Sequence, residues 1–443
     1  MITLWDFFID PILCWPTIGS LFMCVGTALI GVLVYLQKRS LLGESLSHCV
    51  YPGIVLGVLA YKMFFSKVDL LIPVLLGGTA TASLGLYSIN FCVRKLKMSS
   101  DVALCFVLAA FFGLGFLAVS RVQFIYPKVY QQVQMFLYGQ AATMRQVHAL
   151  IYMLLCLGIV IFIILLFKHL QMIYFDREFA KSMSRSSHTV ESLVFIMLIA
   201  AIVIGMRTVG IILMSGMLIA PAVSARQFTN KLSWMFFLAA LVAAISAFFG
   251  NVISYHFSNH FSASFPIGPV IIVVATLIAI LSLLFSPKRG IVFRYARIVI
   301  FKKRVFAENV LKMIFKYSEQ NAMPIEKMKK MVHLPHWIFS LFLFHIQKQG
   351  WIKHTADEQI QLTKDGKNKA LHVIRKHRLW ETYLQHLGMQ GEMIHANAEK
   401  MEHMITEEME SSLEEMLSFP KKDPHQKPIP QKSKYSYGGY ELE

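Results

Sequence analysis

The stretch from Thr17 to Gln37 reads TIGSLFMCVGTALIGVLVYLQ and contains no Asp, Glu, Lys or Arg. An α-helix needs about 20 predominantly apolar residues to cross the hydrocarbon core of a membrane, so this stretch predicts a membrane-spanning helix. Apolar stretches recur along most of the chain, at 15–37, 47–64, 69–93, 101–120, 147–168, 189–206, 208–221, 234–256 and 266–286. The seventh is short enough to be a half-helix or a re-entrant segment. We therefore expect a mostly α, polytopic membrane domain with about nine segments, a count uncertain by one or two.

Charge divides the chain into two parts. Residues 1–288 contain 8 acidic and 18 basic residues, whereas the remaining 155 contain 18 and 25. This predicts a transmembrane domain at 1–288, a basic linker at 289–304 that can lie on membrane lipid, and a water-soluble region after it. If the N-terminus lies outside, Lys and Arg concentrate in the inside loops, as in most membrane proteins. We expect a multi-pass protein of the bacterial cell (inner) membrane with a cytoplasmic C-terminal region.

Ionisable residues near the start of the second span form the clearest motif of the membrane part. Glu44 and His48 are four residues apart, so one helix face offers a carboxylate and an imidazole to the same ion. An interfacial pair that contacts water or a neighbouring helix is the alternative. The surrounding sequence LLGESLSHCVYPG, residues 41–53, resembles the zinc/manganese/iron-type ABC permease family. The resemblance continues at 175–180, 210–226 and 286–290, with the motifs in family order.

That resemblance implies a permease that is fed by an external metal-binding protein, driven by a separate ATPase subunit, and paired with a second copy or a second permease subunit. Glu44, Ser47 and His48 match the positions where the family handles metal in transit. The segment from Pro221 to about residue 233, with Ala225 and Arg226, is implied to couple to the ATPase. A helix that simply ends at Pro221 is the alternative. The chain contains no G-x-x-x-x-G-K-[ST] sequence, so ATP hydrolysis is assigned to another polypeptide.

The soluble region begins with a pattern typical of a winged helix. Helices are expected at 307–318, 324–332 and 335–349, and polar and apolar residues alternate at 351–353 and 359–362 about a short turn. Three helices and a two-stranded wing predict a winged helix-turn-helix DNA-binding domain at 305–368. The third helix is unusually apolar for a recognition helix. The residues expected to contact DNA are His336, Trp337 and Ser340 for base edges, and Lys329 and Lys330 for phosphates.

Histidine and acidic residues concentrate between 377 and 403. At helical spacing, His377 and Glu381 share one face, and a second face carries the remaining ligand-type residues, which are His395, Glu399, Glu402 and His403. Imidazole and carboxylate ligands suit Mn²⁺, Fe²⁺ or Zn²⁺, and the lack of Cys among them favours Mn²⁺ or Fe²⁺. Solvated helix faces are the alternative interpretation.

Residues 305–430 resemble the DtxR/MntR family of metal-dependent repressors in the order of helices, wing and ligand-type residues. The resemblance implies a metal-binding and dimerisation domain at 369–430, followed by a tail at 431–443. It also implies one metal site at Glu399, Glu402 and His403. His377, Glu381 and His395 match residues of the family's ancillary site or, for His377 alone, of the manganese-type binuclear site. Asn309 and Lys312 stand where the family tends to place Met or acidic ligands, so Glu308 is a candidate replacement.

These interpretations combine into a metal permease fused to a metal-responsive repressor that binds operator DNA. The main alternative is a metal permease whose C-terminal region senses metal or dimerises without contacting DNA. A membrane metalloenzyme is a third class, but the chain contains no H-E-x-x-H sequence and no evident nucleophile–base set, so no catalytic residue is assigned. Because a tethered repressor reaches little of the chromosome, cleavage near residues 292–304 is a further hypothesis.

Overall fold

The computed structural model describes residues 5–39, 41–64, 71–175, 179, 182, 186–261, 265–317, 322–332, 335–355, 359–389 and 391–432. The chain divides into two compact units, Met1–Arg294 and Tyr295–Glu443. The division falls within the predicted basic linker. Each unit is described by itself.

The first unit is built of helices. They are Asp6–Ile9, Pro11–Leu36, Leu42–Phe64, Leu71–Arg94, Ser100–Ile125, Pro127–Tyr138, Gln146–Phe175, Ser186–Val209, Ile211–Phe228, Leu232–Phe261 and Ile267–Phe285, with a short 3-10 helix at Ala141–Thr143. Within the described residues, eight of these helices are long and apolar enough to cross a membrane. The prediction of a mostly helical, multi-pass membrane domain is therefore confirmed.

Pro11–Leu36 is a central helix of this unit. In its most apolar window 78% of the residues are buried, against 28% in Ser100–Ile125, Gln146–Phe175 and Ile267–Phe285. The three exposed helices carry their apolar side chains outward, as expected where hydrocarbon is the solvent. The first predicted span thus provides the surface on which Gln146–Phe175, Ile211–Phe228 and Leu232–Phe261 pack.

The seventh predicted segment forms the helix Ile211–Phe228, which is not among the eight candidate spans of the described residues. Gly210 separates it from Ser186–Val209 with a φ of 90°, a left-handed conformation that glycine adopts without strain. Pro221 lies inside this helix, which continues for seven residues beyond it. The alternative interpretation of a helix that ends at Pro221 is therefore wrong.

Two glycines let the helix that carries Glu44 and His48 approach its neighbour closely. A Cβ atom on Gly53 would lie 2.1 Å from the carbonyl oxygen of Gly77, and one on Gly77 would lie 2.2 Å from that of Gly53. Small residues at such a crossing allow two membrane helices to pack backbone against backbone. The crossing fixes Leu42–Phe64 against Leu71–Arg94.

The helix Ile291–Tyr317 crosses the division, and the second unit begins within it at Tyr295. It is longer than the predicted 307–318, and its sequence contains no Gly or Pro that would end it earlier. The helices Ile325–Val332 and His336–Lys348 follow. The wing is part of a three-stranded antiparallel sheet of order β1-β3-β2, formed by Ala322–Pro324 (β1), Ile352–His354 (β2) and Gln359–Leu362 (β3). Met323 pairs with Ile360, and Ile352 with Leu362. The predicted two-stranded hairpin thus has a third strand, and the second helix begins one residue later than expected.

Three further helices complete the unit, at Lys364–His386, Glu392–Met401 and Glu407–Met416. Thr363 caps the first of them by accepting a hydrogen bond from the Gly366 amide at 3.1 Å. The Nε atom of Arg375 donates to Glu410 at 2.7 Å, inside the protein, and so ties the first helix to the third. This arrangement places His377 and Glu381 on a helix whose inner face is fixed.

Candidate metal sites

Glu44 and His48 lie on the helix Leu42–Phe64, one turn apart and both half-buried. The edge of the His48 ring packs against Phe112, with 4.8 Å between ring centroids. Its Nδ1 atom is buried and has no hydrogen-bond partner among the described residues. A buried imidazole nitrogen with a free lone pair is a suitable ligand for a divalent ion. Ser47 is buried, and its hydroxyl donates to the Gly43 carbonyl at 2.7 Å.

The residues predicted to couple to an ATPase divide into buried and accessible ones. Pro221 and Ala225 are buried, whereas Arg226 is half-buried and donates to the Thr229 carbonyl at 3.3 Å. Beyond them an open groove of about 450 Å³ is lined by Gln227, Phe228, Thr229, Asn230, Lys231, Trp234, Leu238, Lys288 and Arg289. Arg289 donates to the Asn230 side chain at 2.5 Å. Another protein could therefore contact the groove after residue 226, but it could not contact the buried side chains of Pro221 and Ala225.

In the second unit, His377, Glu381 and His395 bring their ligand atoms together within 4.8 Å. The Nε2 atom of His377 lies 3.1 Å from Glu381 Oε1 and 3.1 Å from His395 Nδ1. His395 Nδ1 also lies 2.8 Å from Glu381 Oε1. Two imidazoles and a carboxylate that converge in this way fit a borderline divalent cation. Sequence spacing predicted the pair on one helix, and the repressor resemblance grouped His395, from the next helix, with that pair.

Glu402 contacts the other side of the His377 ring. The Nδ1 atom of His377 lies 2.5 Å from Glu402 Oε2. Both oxygens of this carboxylate also accept hydrogen bonds from the ammonium group of Lys312, each at 2.7 Å. The predicted ligand Glu402 is thus joined to His377 on one side and to a buried lysine on the other.

The remaining predicted ligands occupy different surroundings. His403 is buried, with Nδ1 2.7 Å from Glu308 Oε2 and Nε2 3.1 Å from the side-chain oxygen of Asn309. Glu399 is exposed, and its carboxylate lies 3.7 Å from His395 Nε2. The three-residue cluster of His377, Glu381 and His395 is therefore joined to Glu402 through His377, and Glu402 contacts His403 at 3.4 Å. Glu399 lies outside this set and is exposed.

The surroundings of Glu381 and Glu402 favour the ionised form of these two carboxyl groups. Burial lowers the pKa of His377, but hydrogen bonds to Glu381 and Glu402 outweigh it and hold that pKa above its usual value. Burial opposes the charge on Glu381, yet hydrogen bonds from His377 and His395 lower the pKa of its carboxyl to about 2. The pKa of Glu402 is also lowered, because His377 and Lys312 together outweigh burial. Glu381 and Glu402 are therefore negatively charged at neutral pH and attract cations.

The residues predicted to contact DNA lie on two helices of the second unit. Trp337 is 71% exposed and Ser340 is exposed, whereas the side chain of His336 lies outside the described part of the chain. Lys330 is exposed and Lys329 half-buried. Leu341 and Phe344 are also exposed on the helix His336–Lys348, by 61% and 67%. The described outward face of this helix therefore combines an apolar stripe, Trp337, Leu341 and Phe344, with exposed polar residues, which are Ser340, His345, Gln347 and Lys348.

Sequence reasoning missed the partnership of Lys312 with Glu402, although it noted the lysine as a departure from the repressor pattern. A basic residue at a position where the pattern favours a ligand was the available signal. Its partner is 90 residues away in the chain, so no local spacing could identify it.

Comparisons with known proteins agree with this division. Residues 10–286 match the family model of the ABC 3 transport family, and residues 363–431 match the iron dependent repressor, metal binding and dimerisation domain. The chain is 35% identical to a probable metal transport system membrane protein of Chlamydia trachomatis over 94% of this chain and 95% of that protein.

Two more relatives carry the name of a metal. The manganese transport system membrane protein MntC of Bacillus subtilis is 29% identical over 87% of this chain and 86% of its own length. The zinc transport system membrane protein TroC of Treponema pallidum is 33% identical over 63% of this chain and 91% of its own length. By its membrane helices and by these matches, the chain belongs to the ABC 3 family of metal permeases and carries a C-terminal domain of the DtxR-like repressor type.

Proposed function

We propose that this protein is the permease subunit of an importer for a divalent transition metal, and that its C-terminal unit senses the same metal in the cytoplasm of a bacterial cell. The observation that carries the proposal is the convergence of His377, Glu381 and His395 in a chain whose membrane unit belongs to a metal permease family. Ligand chemistry favours Mn²⁺ or Fe²⁺ and admits Zn²⁺. An external metal-binding protein would deliver the ion, and a separate ATPase would drive its passage.

In the membrane unit the metal is the substrate. Glu44 would attract the cation, and the free Nδ1 of His48 would bind it transiently within the helix bundle. Ser47 positions this turn through its hydrogen bond to the Gly43 carbonyl and does not need to contact the ion. Sites of this kind lie near the middle of the membrane, at the contact between repeats or subunits. A second copy of the chain or a second permease subunit would complete the path.

The groove after residue 226 is the proposed contact for the ATPase. Its lining combines Trp234 and Phe228 with the cations Lys231 and Arg289. Arg226 braces the turn that leads into it by donating to the Thr229 carbonyl. Movement of the ATPase would reach the membrane through Pro221 and Ala225, which are buried in the same helix.

In the C-terminal unit, His377, Glu381 and His395 would hold the sensed ion. When bound, the ion supplies a cross-link between the helices Lys364–His386 and Glu392–Met401. Glu381, with its lowered pKa, offers a carboxylate at neutral pH, and His377 is oriented by Glu402. Metal-dependent order in these helices would set the spacing of two winged helices on operator DNA.

A second candidate function is favoured by the face of the helix His336–Lys348. Trp337, Leu341 and Phe344 all point outward, whereas helices that read DNA present polar and basic side chains to base edges. A C-terminal unit that regulates transport or dimerises without DNA contact fits this face better than operator binding does. The metal-sensing role of the three-residue cluster is common to both functions.

The transport proposal is tested by uptake of radioactive Mn²⁺ in cells that lack their own importer for that metal. We expect Glu44→Gln and His48→Gln each to reduce uptake at least tenfold at unchanged membrane expression. His260→Gln, at the exposed end of another helix, is the matched control and should transport normally. Normal uptake by both path variants would refute the proposed route.

The DNA-binding proposal is tested with full-length protein in detergent and DNA from upstream of its own gene. Operator binding predicts a metal-dependent mobility shift. The double variant Lys329→Ala, Lys330→Ala should bind the DNA more weakly, and its affinity should depend less steeply on salt concentration. The second candidate function predicts no shift at any metal concentration. In that case Glu381→Gln should instead change the dependence of uptake on cytoplasmic metal.

A further inference from the structure

Lys312 is a buried cation at the centre of the ligand-type residues. Its side chain belongs to the helix Ile291–Tyr317 and is only 6% exposed. The ammonium group lies 2.7 Å from both oxygens of Glu402, and Glu402 in turn lies 2.5 Å from His377 Nδ1. A lysine that is buried to this extent needs a charged partner, and Glu402 is that partner.

The groups around Lys312 would otherwise be a second set of metal ligands. Glu402 has its carboxylate there, and His403 lies beside it, with Nε2 3.4 Å from Glu402 Oε1. Glu308 adds a further carboxylate through its contact with His403. Two carboxylates and an imidazole are donors that divalent metals accept. The ammonium group already stands where such an ion would meet Glu402.

A divalent ion and a buried ammonium group exclude each other at this position. Both would compete for the same carboxylate oxygens, and two cations a few ångströms apart repel strongly where water is scarce. The donors around Glu402 therefore do not fit a metal while Lys312 is present. The His377, Glu381 and His395 cluster does not have this conflict, because no lysine or arginine contacts it in the described residues.

We propose that Lys312 is a built-in substitute for a second metal ion, so that the C-terminal unit binds one ion at His377, Glu381 and His395 and none at Glu402. This inference rests on the proposed metal-sensing function and deepens it. Glu402 becomes a positioning residue that is held by Lys312 and directs Nε2 of His377 toward Glu381 and His395, where the ion would bind. The unit then responds to metal with the simple saturation of one site.

The test counts the Mn²⁺ ions bound to the full-length protein in detergent, by equilibrium dialysis, and examines them by electron paramagnetic resonance. Lys312→Glu replaces the ammonium group by a carboxylate, and Lys312→Met removes the charge. We expect Lys312→Glu to bind one more Mn²⁺ per chain than the wild type and to show the spectrum of two magnetically coupled ions. Lys312→Arg, which keeps a cation, should bind the wild-type number.

Lys303→Met is the matched control, because Lys303 lies on the same helix, is exposed and forms no hydrogen bond or ion pair with Glu402 among the described residues. It should leave both the count and the spectrum unchanged. A coupled pair in the wild-type protein, or a Lys312→Glu count equal to that of the wild type, would overturn the inference. The wild-type spectrum decides the matter even where a Lys312 variant does not fold.

Failure of the underlying function gives a different result. The double variant Glu381→Gln, His395→Gln removes the proposed sensing site and should lower the wild-type count by one. An unchanged count would refute sensing at that cluster. The extra Mn²⁺ bound by Lys312→Glu and the Mn²⁺ lost by the double variant are measured separately. The same experiment therefore tests the two proposals independently.

Discussion

At the scale of single residues, His377 is the link between the ion and the rest of the C-terminal unit. One ring nitrogen faces Glu381 and His395, and the other faces Glu402. A histidine that donates its second N–H to a carboxylate has a fixed tautomer and a fixed orientation. The affinity for metal therefore depends on Glu402 even though that side chain is held by Lys312.

Substitution of Glu402 should weaken metal binding without abolishing it. We expect Glu402→Gln to raise the Kd for Mn²⁺ about 10- to 100-fold, the usual effect of removing a carboxylate that supports a ligand histidine. Glu381→Gln should abolish this site. Calorimetric titration of the full-length protein measures both, with the exposed Glu399→Gln as the control of small effect.

The affinity of the cluster for metal should depend on pH in one direction. The pKa of His377 lies above its ordinary value because its hydrogen bonds to Glu381 and Glu402 outweigh burial. The metal-free imidazole therefore keeps its proton to higher pH, and the metal must displace that proton. Affinity should rise with pH through and above the ordinary histidine value of 6.5, with release of a proton. An affinity independent of pH between 6 and 8 would contradict the assignment of His377 as a ligand.

Through the repressor resemblance, the sequence predicted two groups of ligand-type residues. His377, Glu381 and His395 form one of them, and their ligand atoms lie within 4.8 Å of one another. Glu399, Glu402 and His403 form the other, but Glu399 is exposed beside His395 and His403 turns to Glu308, which lies 95 residues earlier. These contacts are set by tertiary packing, and that information is absent from the local pattern.

At the scale of elements, the crossing of Leu42–Phe64 with Leu71–Arg94 determines where Glu44 and His48 stand. A methyl group on Gly53 would meet the backbone of Gly77 and could not be accommodated by a side-chain rotation. The two helices would have to separate, and the turn that carries the proposed metal path would shift with them.

We expect Gly53→Ala to reduce Mn²⁺ uptake about as strongly as His48→Gln, and to lower the thermal stability of the membrane unit. Gly113→Ala is the matched control, because a Cβ atom there has no neighbour within 4 Å. Uptake assays at equal membrane expression measure the effect. Wild-type uptake by Gly53→Ala would show that this crossing does not position the path.

Long helices and the two strands with alternating polar and apolar residues were predictable from the sequence, whereas strand β1 was not. The eight candidate spans follow from sustained apolar composition, and most predicted boundaries lie within a few residues of the helices. Strand β1 has only three residues and includes Pro324, so it offers no alternating pattern to detect. It forms because it pairs with β3, which lies more than 30 residues later in the chain, so no local pattern could reveal it.

At the scale of the whole molecule, a single chain carries both a permease unit and a repressor-type unit, for which we propose metal sensing. If the sensing unit regulates genes, its attachment to the membrane limits the DNA that it can reach. Residues 291–304 form the exposed first half of the helix Ile291–Tyr317, and they bury little apolar surface. Such a segment unwinds at low cost and is accessible to a protease.

We therefore expect a shorter C-terminal fragment to appear in cells when the metal supply changes. Immunoblotting with an antibody against the C-terminal unit measures it, and a Pro substitution at Ala296 should increase it by breaking the helix. Full-length protein alone under every metal condition would rule out release and would favour regulation at the membrane.

The stripe formed by Trp337, Leu341 and Phe344 has a practical consequence for any such fragment. Each of these side chains loses roughly 1.5–3 kcal/mol of favourable transfer free energy while water covers it. Detached from its bilayer, the fragment would cluster with itself as its concentration rises, and sulfate would promote the clustering. Self-association as well as proteolysis would then limit how long the fragment stays active in the cell.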